Sequence, residues 1–246
     1  MIPIDLTGRV AMVTGSSRGI GRTAALRLAE AGAKLVINYK SDRAAGEATA
    51  AEIVALGSEA ELVRCDVADT AAIAAMAEAG ITRFGKIDIL VNNAGGGIAK
   101  PADQLSDADY EFVFDVNVKA YVAAARAVLP QMKPLGWGRI ICISSVAGRS
   151  GKAFIGTSPA YAGAKGAVIS YSRSMARECG AFGITVNTVC PGWIDWEGKN
   201  RVVAPELRAA AIAQMPMGRV GSDADVGDAV LFLASGMASY ITGVSL

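Results

Sequence analysis

Tyr161 and Lys165 stand four positions apart in the stretch SPAYAGAKG, residues 158–166. That spacing puts both side chains on one face of a helix. The chain has 246 residues and no histidine, so the usual proton carrier near neutral pH is missing. A free phenol, with pKa about 10, is a poor acid or base at pH 7. An ammonium beside it favours the phenolate and turns the tyrosine into a usable general acid/base. The competing reading is structural, an amphipathic helix carrying an interfacial tyrosine and a lysine whose stem lies along it. Ser158 and Pro159 read as the N-cap and first position of that helix, so the pair falls in its opening turns. Two further groups fit the same chemistry. Ser144 and Ser145 end the apolar run RIICIS, and Asn117 interrupts a helical pattern in FDVNVKA, where asparagine is a weak helix former.

Positioning these groups requires a regular scaffold, and the apolar pattern supplies one. Residues 9–14, 33–39, 59–65, 87–92, 139–144 and 183–190 are continuous apolar runs of strand length, as expected of parallel strands covered on both faces. Helical patterns at 19–31, 42–56, 70–84, about 106–133, 159–180 and 223–235 separate them. Repeated β-α units predict an α/β doubly wound parallel sheet of the Rossmann type in one domain spanning 1–246. Residues 192–222, with glycine, proline and two tryptophans, read as an excursion above the sheet where a substrate lid would sit. The first β-α junction carries TGSSRGIG, residues 14–21. Gly15 allows a tight exit from the strand, Gly19 lets backbone approach a phosphate, and Gly21 permits close packing. The spacing is GxxxGxG, and by itself it also suits a purely structural strand–turn–helix.

Composition narrows the field. Hydrophobic residues make up 52% and charged residues 19%, which suits a compact core. A formal net charge of +1 gives no electrostatic case for nucleic acid or an anionic membrane surface. Cys65, Cys142, Cys179 and Cys190 form no CxxC pair, so no metal site is expected, and they read as small buried hydrophobes in a reducing compartment. The N-terminal stretch lacks a signal-peptide pattern, and no uncharged apolar run approaches the roughly 18 residues of a membrane helix. The expected location is cytoplasmic.

TGSSRGIG, NNAG at 92–95, Asn117, a serine after the fifth strand and YAGAK at 161–165, in that order, resemble the short-chain dehydrogenase/reductase family from about residue 7 to 246. The resemblance implies a single-domain nicotinamide-dependent oxidoreductase acting on a small carbonyl or alcohol, with strand order 3-2-1-4-5-6-7. Its catalytic set would be Asn117, Ser145, Tyr161 and Lys165. Tyr161 would exchange a proton with the substrate oxygen. Lys165 would lower the phenol pKa and hold the nicotinamide ribose, while Ser145 would bond the substrate carbonyl. Asn117 would mark a helix distortion and hold a proton-relaying water. The serine sits 16 residues before the tyrosine, against about a dozen in the family, which implies an insertion within RSGKAFIGTSPA.

The cofactor would lie along Gly15, Ser17, Arg18, Gly19, Ile20 and Gly21, then Tyr39, Lys40 and Ser41, then Asp66 and Val67, then Asn93, Ala94 and Gly95. Tyr161, Lys165, Pro191, Gly192 and Ile194 would complete its site, with Trp196 where the family commonly has threonine. The second strand ends INYKSD, with Tyr39 where an NAD-specific site places an acid. Arg18 suits a 2′-phosphate, so NADP(H) is preferred and NAD(H) is possible. Beyond TG at 242–243 a seventh strand begins and stops at Leu246; either the sequence is trimmed there or the subunit contact built by that tail is altered. Family members pair through the helices at 106–133 and 159–180, which implies a homotetramer or homodimer. Substrate class stays open between acyl thioesters on a carrier protein and sugars or polyols. Gly136, Trp137 and Phe182 stand where carrier-protein reductases often have basic residues. A nucleotide-binding regulator without turnover is the alternative function, and an epimerase or dehydratase on this fold lacks room for its larger substrate domain.

Overall fold

The computed structural model describes residues 4–152, 158–195 and 203–246. The chain runs β1 (Val10–Val13), α1 (Gly19–Glu30), β2 (Lys34–Tyr39), α2 (Arg43–Ala55), β3 (Ala60–Arg64), α3 (Thr70–Phe84) and β4 (Ile89–Asn92). It continues through α4 (Asp107–Phe114), a π-helical turn at Asp115–Lys119, α5 (Ala120–Leu135), β5 (Gly138–Ile143), α6 (Val146–Ser150), α7 (Pro159–Cys179) and β6 (Ile184–Val189). The last part holds β7 (Ile194–Asp195), α8 (Pro205–Ile212), β8 (Gly221–Ser222) and α9 (Asp223–Ala234). Among the described residues six strands form one parallel sheet in the order β3-β2-β1-β4-β5-β6.

The continuous apolar strands are explained by two core layers. Val10, Met12, Val36, Leu90, Ile140 and Val186 face Ile73 and Met76 of α3, Tyr121, Val128 and Met132 of α5, and Val168 of α7. Their strand neighbours Ala11, Val13, Leu35, Ile37, Val91 and Ile141 face the opposite way, onto Leu28 of α1, Ile53 of α2 and Val230 of α9. Successive strand residues point to opposite faces, so a strand covered on both sides must be apolar at every position. Each fully buried Leu or Ile contributes about 1.5–3 kcal/mol by leaving water.

The expected strands and most expected helices fall within two residues of the observed ones. Three differences matter. The single helix expected over 106–133 is interrupted by the π turn at Asp115–Lys119. There Asn117 Nδ2 donates to the Val113 carbonyl four residues back at 2.8 Å, the competition for helical acceptors that asparagine brings. A short helix, α6, follows β5 directly. In the excursion after β6, β7 and β8 pair in parallel, Ile194 with Gly221 and Asp195 with Ser222. Alongside β6, Thr188 N donates to the Val244 carbonyl and Leu246 N to the Thr188 carbonyl. One parallel bridge, Thr188 with Ser245, starts the expected seventh strand.

Candidate active site

The glycine turn leaves β1 at its C-terminal end and is held from three sides. Gly15, with φ +67°, donates its N–H to Asn38 Oδ1 at 2.8 Å. Asn38 donates from its backbone to Ser16 Oγ at 2.8 Å and from Nδ2 to the Cys65 carbonyl at 2.9 Å. Just past β4, Asn93 Nδ2 reaches the Thr14 carbonyl at 2.9 Å and the Gly15 carbonyl at 3.2 Å. Thr14 Oγ1 in turn accepts from the N–H groups of Asn93 and Ala94. A Cβ on Gly21 would sit 2.2 Å from the Gly15 carbonyl oxygen, so the first turn of α1 closes onto the loop only with glycine there. Thr14, Ser16 and Asn38 escaped the sequence reading because their partners come from other strands. An asparagine inside an apolar strand run was the available signal.

These contacts open a cleft of about 530 Å3 beside the sheet's C-terminal edge. Its walls include Gly15, Ser17, Arg18, Gly19, Ile20 and Gly21, with Tyr39, Lys40, Asp66, Val67, Asn93, Ala94 and Gly95. Of the expected adenosine-side set, Ser41 lies exposed just beyond this lining. α1 starts at Gly19 with no acidic residue in its first turn and no side-chain cap, so its N–H groups favour an anion. Lys40 Nζ is 2.8 Å from Asp66 Oδ2, and that contact above all lowers the Asp66 pKa. Asp66 Oδ1 also accepts from Ala68 N, a turn role that any such aspartate can take.

The second half of the site lies where α7 passes the ends of β5 and β6. Ser158 caps α7 by accepting from Tyr161 N at 3.3 Å, with Pro159 at the first position. Lys165 is 3% exposed. Its Nζ donates to the Ile143 carbonyl at 2.8 Å and to the Tyr121 hydroxyl at 3.3 Å. Burial pulls its pKa down to about 8. Ser144 is engaged with the helix backbone, donating to the Lys165 carbonyl at 2.7 Å. Ser145 caps α6 by accepting from Ala147 N at 3.2 Å and lies on the Tyr161 side, near enough to lower the phenol pKa. The structure thus separates the two serines that the sequence left adjacent.

The Tyr161 phenol is pushed up by burial, with the nearby Ser145 hydroxyl opposing. The lowering by Lys165 that the resemblance implies is not among the causes of this shift. Lys165 Nζ stands 5.8 Å from the Tyr161 ring centre, and desolvation outweighs a charge at that range. Gly97 lies flat against the ring, where a Cβ would be 3.0 Å from Tyr161 Cδ2. Asn117 is fully buried. Its Nδ2 also donates to the Gly96 carbonyl at 2.6 Å, while its Oδ1 has no partner among the described residues. A Cβ on Gly95 would fall 2.5 Å from Asn117 Oδ1 and 3.3 Å from Lys165 Nζ, so the backbone approaches both groups there. The Pro191 carbonyl accepts from Val146 N at 3.0 Å, beside Ser145. Gly192 and Ile194 follow it outside the cleft lining, and Trp196 lies outside the described residues.

The residues fit a dinucleotide: a glycine cradle that any side chain would fill, bare helix N–H groups, and an orphaned buried acceptor facing the Gly95 approach. Among the described residues no cluster of His, Cys, Asp or Glu could hold a metal ion, and no helix is long and apolar enough to cross a membrane. All four cysteines are free and buried.

A parallel sheet of this order, with a glycine turn at the first β-α junction, defines a Rossmann-type dinucleotide-binding protein. Residues 15–246 match the family model described as enoyl-(acyl carrier protein) reductase. The chain is 37% identical to the 3-oxoacyl-(acyl-carrier-protein) reductase of Staphylococcus aureus over 236 residues, 96% of this chain and 94% of that one. It is 37% identical to the enzyme of the same name from Escherichia coli K12, over 99% of this chain and 96% of the relative. A solved short-chain dehydrogenase/reductase from Serratia marcescens superposes with a TM-score of 0.91 at 35% identity, covering 98% of this chain and 96% of that one. The chain belongs to the short-chain dehydrogenase/reductase family. It is an oxidoreductase that uses a nicotinamide cofactor on a small-molecule alcohol or carbonyl.

Proposed function

We propose that the chain transfers a hydride between NADP(H) and a carbonyl or secondary alcohol, with Tyr161 as the general acid/base. One observation carries this reading: the Tyr161 phenol lies one helical turn from the buried Lys165 ammonium and beside Ser145, where the backbone at Gly95 and Gly97 closes on both side chains. The nicotinamide, when bound, supplies or takes the hydride. A phenol held above its ordinary pKa by burial stays protonated at neutral pH, so it needs the neighbouring ammonium and the bound substrate to exchange its proton. Ser145 would orient the substrate oxygen toward that proton. Lys165, with its pKa near 8, is mostly cationic at pH 7 and would stabilise negative charge developing on the phenol oxygen. Asn117 Oδ1, a buried acceptor without a partner among the described residues, suits a bridging water on the Lys165 side.

Support for NADP(H) over NAD(H) comes from the end of β2. Tyr39, Lys40 and Ser41 stand there, and Asp66, the acid in the described cleft lining, is neutralised by Lys40. Arg18, on the same lining, matches a 2′-phosphate through its planar fork. The substrate lid read at 192–222 would be built from its described parts, β7, β8 and α8, and its residues 196–202 lie outside the described residues. The deciding experiment follows NAD(P)H oxidation and NAD(P)+ reduction over β-keto thioesters, ketoses, polyols and cyclic ketones. Cofactor-dependent turnover of one class is expected. Cofactor binding without turnover of any would replace the enzyme by a nucleotide-binding regulator.

A further inference from the structure

Tyr121 lies on α5, two residues beyond the π turn, and is 1% exposed. Its hydroxyl donates to the Ile143 carbonyl at 2.9 Å. Lys165 Nζ donates to that same carbonyl at 2.8 Å and to the Tyr121 hydroxyl at 3.3 Å. The three atoms close a triangle whose hydrogen-bond directions are forced. A carbonyl only accepts, and a hydroxyl has a single proton. With that proton on Ile143, the phenol oxygen presents lone pairs to the ammonium. We propose that Tyr121 is a positioning residue for Lys165, holding the ammonium by acceptance at the buried end of the site.

The inference rests on the enzymatic role proposed above for Lys165. Two of the three ammonium N–H bonds are taken by Ile143 and Tyr121, which leaves one for the side where Gly95 and Asn117 Oδ1 approach. Tyr121 does not pass protons itself. Burial raises its pKa well above the ordinary value, and its O–H ends on an acceptor that has no proton to hand on.

The groups that face Lys165 are Tyr161 from its own helix, Tyr121 from α5, Cys142 from β5 and Cys190 after β6. Burial raises both thiols, so they stay neutral at pH 7. The Lys165 charge is therefore supported by dipoles, of which the Tyr121 hydroxyl is one.

The test is Tyr121→Phe, which keeps the ring and removes the acceptor. Losing a hydrogen bond to a charged donor at this long distance should raise the Lys165 acid dissociation constant about tenfold, roughly one pH unit. The Lys165 13Cε shift in lysine-labelled full-length protein, assigned with Lys165→Met, reads this directly and needs no turnover. The midpoint should move from about 8 in the parent toward 7 in the variant. The alkaline limb of kcat should move down with it. If Tyr121→Phe does not fold, Tyr121→Met fills similar space and should give the same shift. An unchanged Lys165 midpoint in the folded variant overturns the proposal. A shifted midpoint in a protein inactive on the whole substrate panel upholds the positioning and instead overturns the proposed reaction.

Discussion

Asn38 ties the glycine turn to two neighbouring strands, and removing its amide should loosen the cofactor cradle and the fold together. In Asn38→Leu, of similar volume, the Gly15 N–H loses its 2.8 Å acceptor and the Cys65 carbonyl its 2.9 Å donor. Asn38 itself is 3% exposed. A buried group left unpaired costs about 1–3 kcal/mol. The Cys65 carbonyl lies in buried surroundings, whereas Gly15 is partly open and regains some solvation. The sum is about 2–4 kcal/mol, a large part of the roughly 5–15 kcal/mol that holds a typical chain folded. At roughly 2–4 °C per kcal/mol for a chain of this size, the melting midpoint should fall by about 5–15 °C. Affinity for the nicotinamide cofactor should fall too, because Gly15 is no longer pinned. Asn38→Asp separates the two bonds. It keeps an acceptor for Gly15 but sets a carboxylate oxygen against the Cys65 carbonyl. Burial raises that carboxyl's folded-state pKa above its unfolded value, so the variant should gain stability as pH falls and lose it as pH rises. Differential scanning calorimetry at pH 5 and pH 8 reads both effects. An Asn38→Leu protein melting within about 2 °C of the parent would refute the reasoning.

Three further outcomes are expected. Tyr161→Phe should abolish turnover while cofactor affinity stays within a few-fold, and Lys165→Ala should damage both; steady-state kinetics with fluorescence titration of the reduced cofactor separates them. Arg18→Ala combined with Tyr39→Asp should reverse the preference toward NAD. One charge-assisted phosphate contact amounts to roughly ten- to a hundredfold in kcat/KM, so equal efficiencies with both cofactors in the parent would defeat the NADP reading. Pairing through α4–α5 and α7, whose small residues allow close helix approach, should give a tetramer or dimer by light scattering, and a monomeric mass at micromolar concentration would contradict it.

The sheet was legible in the residue order because a strand covered on both faces must be apolar throughout, and each such run ends in a turn or cap. Val10–Val13 and Ile184–Val189 sit within one or two residues of the expected runs for that reason. Capping worked likewise: Ser158 and Pro159 announce α7 locally, and with it the shared face of Tyr161 and Lys165. The cleft's glycine turn was visible from its place at the first β-α junction. Other features needed partners distant in the chain. Asn38 acts on Gly15 and Cys65, 23 and 27 residues away. The Tyr121 hydroxyl meets Ile143 and Lys165, 22 and 44 residues away. Ser144 and Ser145 are chemically identical neighbours, and only the assembled fold sends one to the Lys165 carbonyl and leaves the other capping α6 on the Tyr161 side. The direction of the Tyr161 pKa also belongs to the assembled fold. Sequence spacing reports that a cation is near, but the depth of burial decides whether desolvation or that charge prevails. Local periodicity and capping thus determined the elements, while long-range packing decided which polar groups meet and how strongly water is excluded from them.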